Sequence, residues 1–343
     1  MNVMINDCTI RDGGYLLDKN PDQEYVRGVF SALVNAGIDV IEIGFLQNKK
    51  GGESVVYGDS IEAGRHSKEF SSSRFTGFCD NSRYSIDNLD KHSEDSAFDY
   101  LKISFAKHEW HEALEFVDSA KKKGYKVFAN PMDAPSYSFE ERKEMIGVIN
   151  NIKPFCFSIV DTFGSMYLKD LISIFEQIDS ELDRDIRIGL HSHNNLGLSN
   201  ALAETMIDFA ARANRDIVVD ASLYGMGRGA GNAATEVIAS YLNENYGSSY
   251  GLDFLFDAID DYVAPLKTKA LWGYDLPMLT CGLLGAHVDN IFHLKKTAEL
   301  TSAMQFDIIS RLDQNQRKRY GKNYSKSDFS ILDAAMAEAR REW

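Results

Sequence analysis

His191 and His193 stand one residue apart at the end of a β-branched run. On an extended backbone that spacing turns both imidazoles to one face, as two neighbouring positions around a single metal ion require. A carboxylate would complete the set. Asp12, in Arg11-Asp12-Gly13-Gly14 after the chain's first such run, can supply the oxygen and leave positions for water or substrate. The alternative is a pair of histidines that only hydrogen-bond at a strand end. The strand position and Asp12 weigh toward the metal.

A third segment, Gly225-Met226-Gly227-Arg228-Gly229-Ala230-Gly231-Asn232, has enough glycine for backbone N–H groups to approach an anion at a helix start. Its spacing is not G-x-G-x-x-G and it lies late in the chain, so it is a poor dinucleotide fingerprint. Close approach of the backbone to an active-site ligand is the favoured reading, with a flexible strand-to-helix turn as the alternative. Arg228 is then a candidate anion contact. His108 and His111 have charged neighbours and read as a solvated helix start. His287 and His293 lie in an apolar helical stretch near Cys281 and read as structural histidines. His66 and His92 carry no signal. Cys8, Cys79, Cys156 and Cys281 form no C-x-x-C pair and read as packing residues in a reducing compartment.

Positioning these groups requires strands that end at one place. Short β-branched runs alternate with segments of helical period, the pattern of a parallel sheet connected by helices. Eight strands are predicted, near Val3–Thr9, Asp39–Phe45, Arg74–Phe78, Tyr100–Ser104, Lys126–Ala129, Phe155–Val160, Ile186–Leu190 and Ile217–Ala221. Eight such units predict an α/β fold, a closed (β/α)8 TIM barrel, in which the first, seventh and eighth strands are neighbours and catalytic groups sit at the strands' carboxyl ends. The barrel is expected to occupy residues 1–250. A helical C-terminal extension should fill residues 251–343, with helices near Leu255–Tyr262, Met278–Leu294, Ala303–Leu312 and Phe329–Arg341.

Composition narrows the partners. The 343 residues carry 37 Lys+Arg against 51 Asp+Glu, a net charge of −14, with 44% hydrophobic residues. That excludes a disordered chain and disfavours nucleic acid and anionic membranes, since no basic cluster offers a local exception. Arg317 to Lys326 reads as a solvated surface. The start of the sequence has no basic stretch followed by a long apolar run, which predicts no signal peptide, no spanning helix and a cytoplasmic location.

Three segments together carry a resemblance: Asp7-Cys8-Thr9-Ile10-Arg11-Asp12-Gly13-Gly14, His191-Ser192-His193-Asn194-Asn195-Leu196-Gly197-Leu198, and Asp220-Ala221-Ser222-Leu223 with the glycine segment that follows. They resemble the DRE-TIM metallolyases, the HMG-CoA lyase-like barrels, and within them the 4-hydroxy-2-oxovalerate and other 4-hydroxy-2-oxoacid aldolases. The resemblance spans the barrel and is weaker over the extension. It implies that Asp12, His191 and His193 ligate Mn²⁺ or Mg²⁺, with Asn232 a further ligand or a neighbour of the ligands. It implies that Arg11 stabilises an enolate and that Thr162, in Asp161-Thr162, contacts a pyruvyl carboxylate. Glu42 stands where the lyase branch has a functional glutamate, or it is an ion-pair partner at the barrel mouth.

The implied reaction is 4-hydroxy-2-oxoacid ⇌ pyruvate + aldehyde, a carbon–carbon lyase of class II. One residue departs from the family: the aldolases place a histidine base shortly after R-D-G, and here that position is Tyr15. A phenol with an ordinary pKa near 10 is a poor base at neutral pH and acts more readily as an acid. An acyl-CoA lyase or Claisen-type synthase of the same superfamily is less favoured, because Gly225 to Asn232 lacks the cysteine of the lyase branch. Metal-dependent hydrolase barrels carry H-x-H on the first strand. A non-catalytic scaffold is permitted by Tyr15 and opposed by the clustered charge. The expected partners are a small oxoacid and an aldehyde, whose fit depends on the loops Gln47 to Gly58 and Asn130 to Tyr137. The extension is open to three readings: a cap on the barrel, a homodimer interface, or a dock for a partner dehydrogenase, the last by family analogy alone.

Overall fold

Each of the eight predicted runs forms a parallel strand in the computed structural model, which describes residues 1–48, 54–67, 70, 75–319 and 328–342. The strands are β1 (Val3–Asp7), β2 (Val40–Leu46), β3 (Val56–Tyr57), β4 (Phe75–Asp80), β5 (Tyr100–Phe105), β6 (Lys126–Pro131), β7 (Cys156–Asp161), β8 (Arg187–Ser192) and β9 (Ile217–Ala221). β3 is a short addition on β2 that no sequence pattern announces. The other eight run β1-β9-β8-β7-β6-β5-β4-β2, and β2 pairs back to β1 through Asn6–Val40 and Asp7–Ile41. This closes a (β/α)8 barrel. Arg74, residues 49–53 of the loop expected to shape the aldehyde site, and residues 320–326 of the expected solvated stretch lie outside the described residues.

The main helices are α1 (Thr9–Gly13), α2 (Gln23–Asn35), α3 (Ser60–Ser67), α4 (Trp110–Lys122), α5 (Phe139–Ile152), α6 (Leu168–Glu181), α7 (Ser199–Ala213) and α8 (Thr235–Tyr246). α2 shows why they form: Asp22 caps it by accepting from the Tyr25 N–H at 2.7 Å, and Val26, Val29, Phe30 and Leu33 line one buried face. That face meets the outward residues of the strands, such as Ile5, Ile41 and Ile43, in the main core.

Inside the barrel, the two-residue period of the strands sorts residues into layers. Met4, Val40, Tyr100, Phe128, Cys156 and Val218 form an apolar bottom layer. Two residues further along the same strands come Asn6, Glu42, Lys102, Asn130, Ser158 and Asp220, all buried and all polar. The interior therefore changes from oily to charged over one period, below the mouth where α1 and the loops begin.

Beyond α8 the chain is helical, in α9 (Leu252–Ala258), α10 (Leu276–Leu284), α11 (Val288–Thr297), α12 (Ser302–Ser310), α13 (Gln314–Lys318) and α14 (Ser330–Ala339). Leu255, Ala258, Ile259, Val263 and Trp272 join the main core, whereas Met278 to Ala339 build a second cluster that includes Ala230 of the glycine segment. Two of the predicted helices are corrected. The stretch Met278–Leu294 is two helices, because Gly285 takes a left-handed φ of +58° that ends α10, and His287 then caps α11 by accepting from the Asp289 N–H. The stretch Leu255–Tyr262 starts earlier, at Leu252, and leaves α-geometry at Ala258 for a wider turn over Ile259–Val263. α13 is a further addition: it has five residues, no buried one and therefore no apolar period to read.

Candidate active site

β8 delivers His191 and His193 to the barrel mouth with ring centroids 5.0 Å apart. With Asp12 they form a group whose ligand atoms all lie within 4.8 Å of one another. Both rings are held from behind. His193 Nδ1 is 3.1 Å from the Asp161 carbonyl oxygen, and His191 Nδ1 is 3.0 Å from Asp220 Oδ2, a close contact without good hydrogen-bond alignment. In each case Nε2 is the nitrogen that can turn to a cation, the arrangement by which an outer carboxylate or carbonyl orients a metal-binding imidazole. Burial is the main reason that the His193 pKa falls to about 4, so the ring is neutral at physiological pH. Burial pushes Asp12 the other way, but Arg11 and the two imidazoles outweigh it and hold the carboxyl at about 2.

The glycine segment closes this group. Asn194 N donates to Gly231 O at 2.7 Å, and His193 pairs with Asn232 in an isolated antiparallel bridge. Asn232 Nδ2 donates to Asp12 Oδ2 at 2.6 Å, while its Oδ1 is buried without a hydrogen-bond partner. A Cβ on Gly227 would stand 2.4 Å from Asn232 Nδ2 and 2.7 Å from Asp12 Oδ2, so only glycine lets these side chains meet. An orphaned amide oxygen beside one carboxylate and two imidazoles is a mixed oxygen and nitrogen donor set. It fits a divalent cation such as Mn²⁺ or Mg²⁺.

Arg11, on α1, points inward. Its Nη1 donates to Asp12 Oδ1 at 2.6 Å, its Nε donates to Glu42 Oε2 at 2.5 Å, and its guanidinium lies 4.5 Å from the Phe78 ring centroid. Glu42 has no exposed surface and does not line the cavity; it holds Arg11 and takes a second ion pair from Lys102. Lys102 also donates to Asp220 Oδ2 at 2.5 Å, and Asn6 Nδ2 bridges Glu42 and Asp220 at 2.8 Å each. A buried chain of charge thus runs from Asp12 through Arg11, Glu42, Lys102 and Asp220 to His191. Burial disfavours each ion, yet the pairing prevails: Glu42 and Asp220 are driven below the ordinary carboxylate range and Lys102 above the ordinary ammonium range.

Above this floor lies a cavity of about 110 Å³ lined by Arg11, Asp12, Tyr15, Ser104, Asn130, Thr162, His191, His193, Arg228, His287 and Val288, among others. At ~30 Å³ per water, that is room for a small acid. Of the predicted residues, all but Glu42 and Asn232 line it. Thr162 Oγ1 accepts from the Asp133 N–H at 2.8 Å, which leaves the hydroxyl proton to be donated. Arg228 forms an ion pair with Asp289 and lies 5.5 Å from the Tyr15 ring centroid. Burial raises the Tyr15 phenol further above its ordinary 10, against the opposing pull of Arg11 and Arg228.

Lys102, Ser104 and Asn130 join the site without being singled out by spacing or motif, and Asp220 joins it with no role assigned beyond its place in the third segment. Their signal is a polar residue on the inward face of an otherwise apolar strand, as in Tyr100-Leu101-Lys102-Ile103-Ser104. His287 reads as structural in the sequence, yet its ring lines the cavity. His293 does pack structurally, 2.7 Å from Asp333 Oδ1 and stacked on Phe329, and the four cysteines are free and buried. No helix of the described residues is long and apolar enough to cross a membrane.

Residues 99–256 match the family described as HMGL-like. A 4-hydroxy-2-oxovalerate aldolase from Roseiflexus castenholzii is 27% identical, over 98% of this chain and 97% of its own length. Another from Geobacillus genomosp. 3 is 28% identical over 92% of each chain. Among solved structures, the N-terminal domain of an aldolase candidate from Bacteroides vulgatus superposes with a TM-score of 0.74 at 24% identity, over 86% of this chain and 97% of that one, which is a likeness of fold. Residues 99–256 thus match the HMGL-like family, and the second and third of the three sequence segments fall within them.

Proposed function

We propose that this chain is a divalent-metal-dependent carbon–carbon lyase of the class II aldolase type, interconverting a 4-hydroxy-2-oxoacid with pyruvate and an aldehyde through a pyruvate enolate. The observation that carries this reading is the meeting, in one small cavity, of a cation-binding group and a guanidinium held rigid from beneath. Asp12, His191 and His193 would hold Mn²⁺ or Mg²⁺, with Asn232 Oδ1 beside them. Such an ion, when bound, supplies Lewis acidity to a 2-oxo group.

Arg11 does the rest of the electrostatic work. Glu42 and Asp12 fix its orientation, so its charge is in place before the reaction and costs no reorganisation as an enolate oxygen becomes negative. Thr162, with its oxygen already accepting from Asp133, can give its proton to a substrate carboxylate. The charge balance agrees with a monoanionic substrate. Within the buried chain Arg11 and Lys102 stand against Asp12, Glu42 and Asp220, a net of −1 that a divalent cation turns to +1 and a single carboxylate neutralises. The names of the aldolase relatives support the same assignment.

The test is exchange of pyruvate methyl protons in deuterated water, followed by NMR. Exchange should require Mn²⁺ or Mg²⁺ and fall by about 10³-fold in Asp12→Asn, the equivalent of several kcal/mol of lost charge stabilisation. Metal-loaded, folded protein that exchanges no protons would sink the assignment.

A further inference from the structure

Carbon–carbon cleavage by this route needs a group that accepts a proton near neutral pH, and Tyr15 is unsuited to it. Asp12, His191 and His193 belong to the cation site. Among the described residues that line the cavity, His287 is the remaining one whose ordinary pKa, about 6.5, lies close to neutrality. It reaches the cavity because Gly285 ends α10, so that Ala286 and His287 form a corner instead of a turn of continuous helix.

The corner also gives the ring a support suited to both protonation states. His287 Nδ1 faces Asp289, whose backbone N–H donates to it at 3.2 Å and whose Oδ2 lies 3.5 Å away. The amide can hold Nδ1 when it is bare, and the carboxylate can hold it when it carries a proton. The other carboxylate oxygen of Asp289 is tied to Arg228, which lines the same cavity. The backbone is anchored too, His287 N donating to Arg317 O at 2.9 Å. A carboxylate that orients an imidazole and shares its charge is a recurrent support for acid–base catalysis.

We propose that His287, supplied by the C-terminal extension, is the acid–base residue of the carbon–carbon step, an inference that rests on the aldolase reading above. In cleavage its Nε2 takes the proton of the C4 hydroxyl. The O–H electron pair becomes the new C=O bond of the aldehyde, and the C3–C4 pair moves between C2 and C3 as the C2=O π pair moves onto its oxygen to form the enolate. A solvent proton at C3 with return of the C2=O bond completes pyruvate, while the imidazolium gives its proton to solvent. In condensation the imidazolium returns its proton to the C4 alkoxide. Nothing is oxidised or reduced.

The assignment separates two measurements on the Mn²⁺-loaded full chain: pyruvate methyl-proton exchange, which involves no C4 hydroxyl, and cleavage of 4-hydroxy-2-oxovalerate, which does. His287→Asn offers a side-chain oxygen in place of Nδ1 to cap α11 but cannot carry the proton. It should lose about 10²- to 10⁴-fold in cleavage while exchange stays within about threefold of wild type. His287→Ala should be partly rescued by added imidazole. Cleavage by His287→Asn at the wild-type rate would overturn the inference, as would an equal loss of cleavage and exchange with an unchanged melting temperature. A wild-type chain that exchanges no pyruvate protons is a separate result, which removes the aldolase reading and this inference together.

Discussion

The floor and the roof of the cavity are built from opposite materials. The floor is borne by the strands and by α1 and is sealed: Glu42 and Lys102 have no exposed side-chain surface, and Arg11, Asp12, His191 and Asp220 have almost none. The roof is helix-borne and joined to the barrel by ion pairs, Arg228–Asp289 with 31% and 24% of the side chains exposed, and Lys318–Asp133 with 14% and 9%. In the floor, removing one ion strands its partner in a medium that cannot solvate it. In the more exposed roof pair, water and salt replace a lost partner. The difference suits the division of labour proposed above, in which the floor carries the charge common to every turnover and the roof carries the proton transfer at the aldehyde end.

The sharpest way to break this comparison is Lys102→Met. Glu42 and Asp220 would then face each other across Asn6 with one fewer cation, and unfolding stability should drop by about 3–5 kcal/mol in urea melts. A loss below ~1 kcal/mol would show that the floor is not held by its charges. A smaller effect concerns Asp7, a buried carboxylate held by the Thr235 hydroxyl at 2.6 Å and the Thr9 N–H at 2.9 Å rather than by a cation. Burial raises its pKa to about 7 against those hydrogen bonds, from an ordinary 3.8. The folded state thus holds the proton more tightly than the unfolded state. The stability this contributes is fully present below about pH 4 and is lost as pH rises through about 7. Asp7→Asn should therefore gain about 2–4 kcal/mol on wild type between pH 4 and pH 8, read as diverging melting temperatures. The smallest effect belongs to the roof: Asp289→Asn should change stability by less than about 1 kcal/mol, and a cost as large as that of Lys102→Met would erase the distinction between the two regions.

Much of the floor is legible in the amino-acid sequence. The H-x-H spacing, Asp12 after the first strand and the eight β-branched runs are local facts, and a two-residue period carries them into three dimensions without further information. Glu42 is legible only as a choice between a functional carboxylate and an ion-pair partner, and its pairing with Arg11 and Lys102 shows where it is held. Lys102 itself gives no such sign, because a lysine in a strand has no visible partner until the strands are arranged. Its partners stand 60 and 118 residues away.

The roof shows the opposite limit. His287 and His293 lie in the same apolar stretch and read alike, yet one lines the cavity and the other stacks on Phe329. The glycine that separates them from α10 is plain in the sequence, but its left-handed φ and the corner it makes depend on the packing of α10, α11 and α12 around Met278, Ile291 and Ile308. The strand periods and the H-x-H spacing are each encoded within a few consecutive residues, and the amino-acid order alone suffices to read them. Which distant charges neutralise one another, and which histidine of the extension reaches the cavity, is settled in three dimensions. Those outcomes depend on barrel closure and on the docking of the extension, where burial makes pairing obligatory but contiguous sequence does not name the partner.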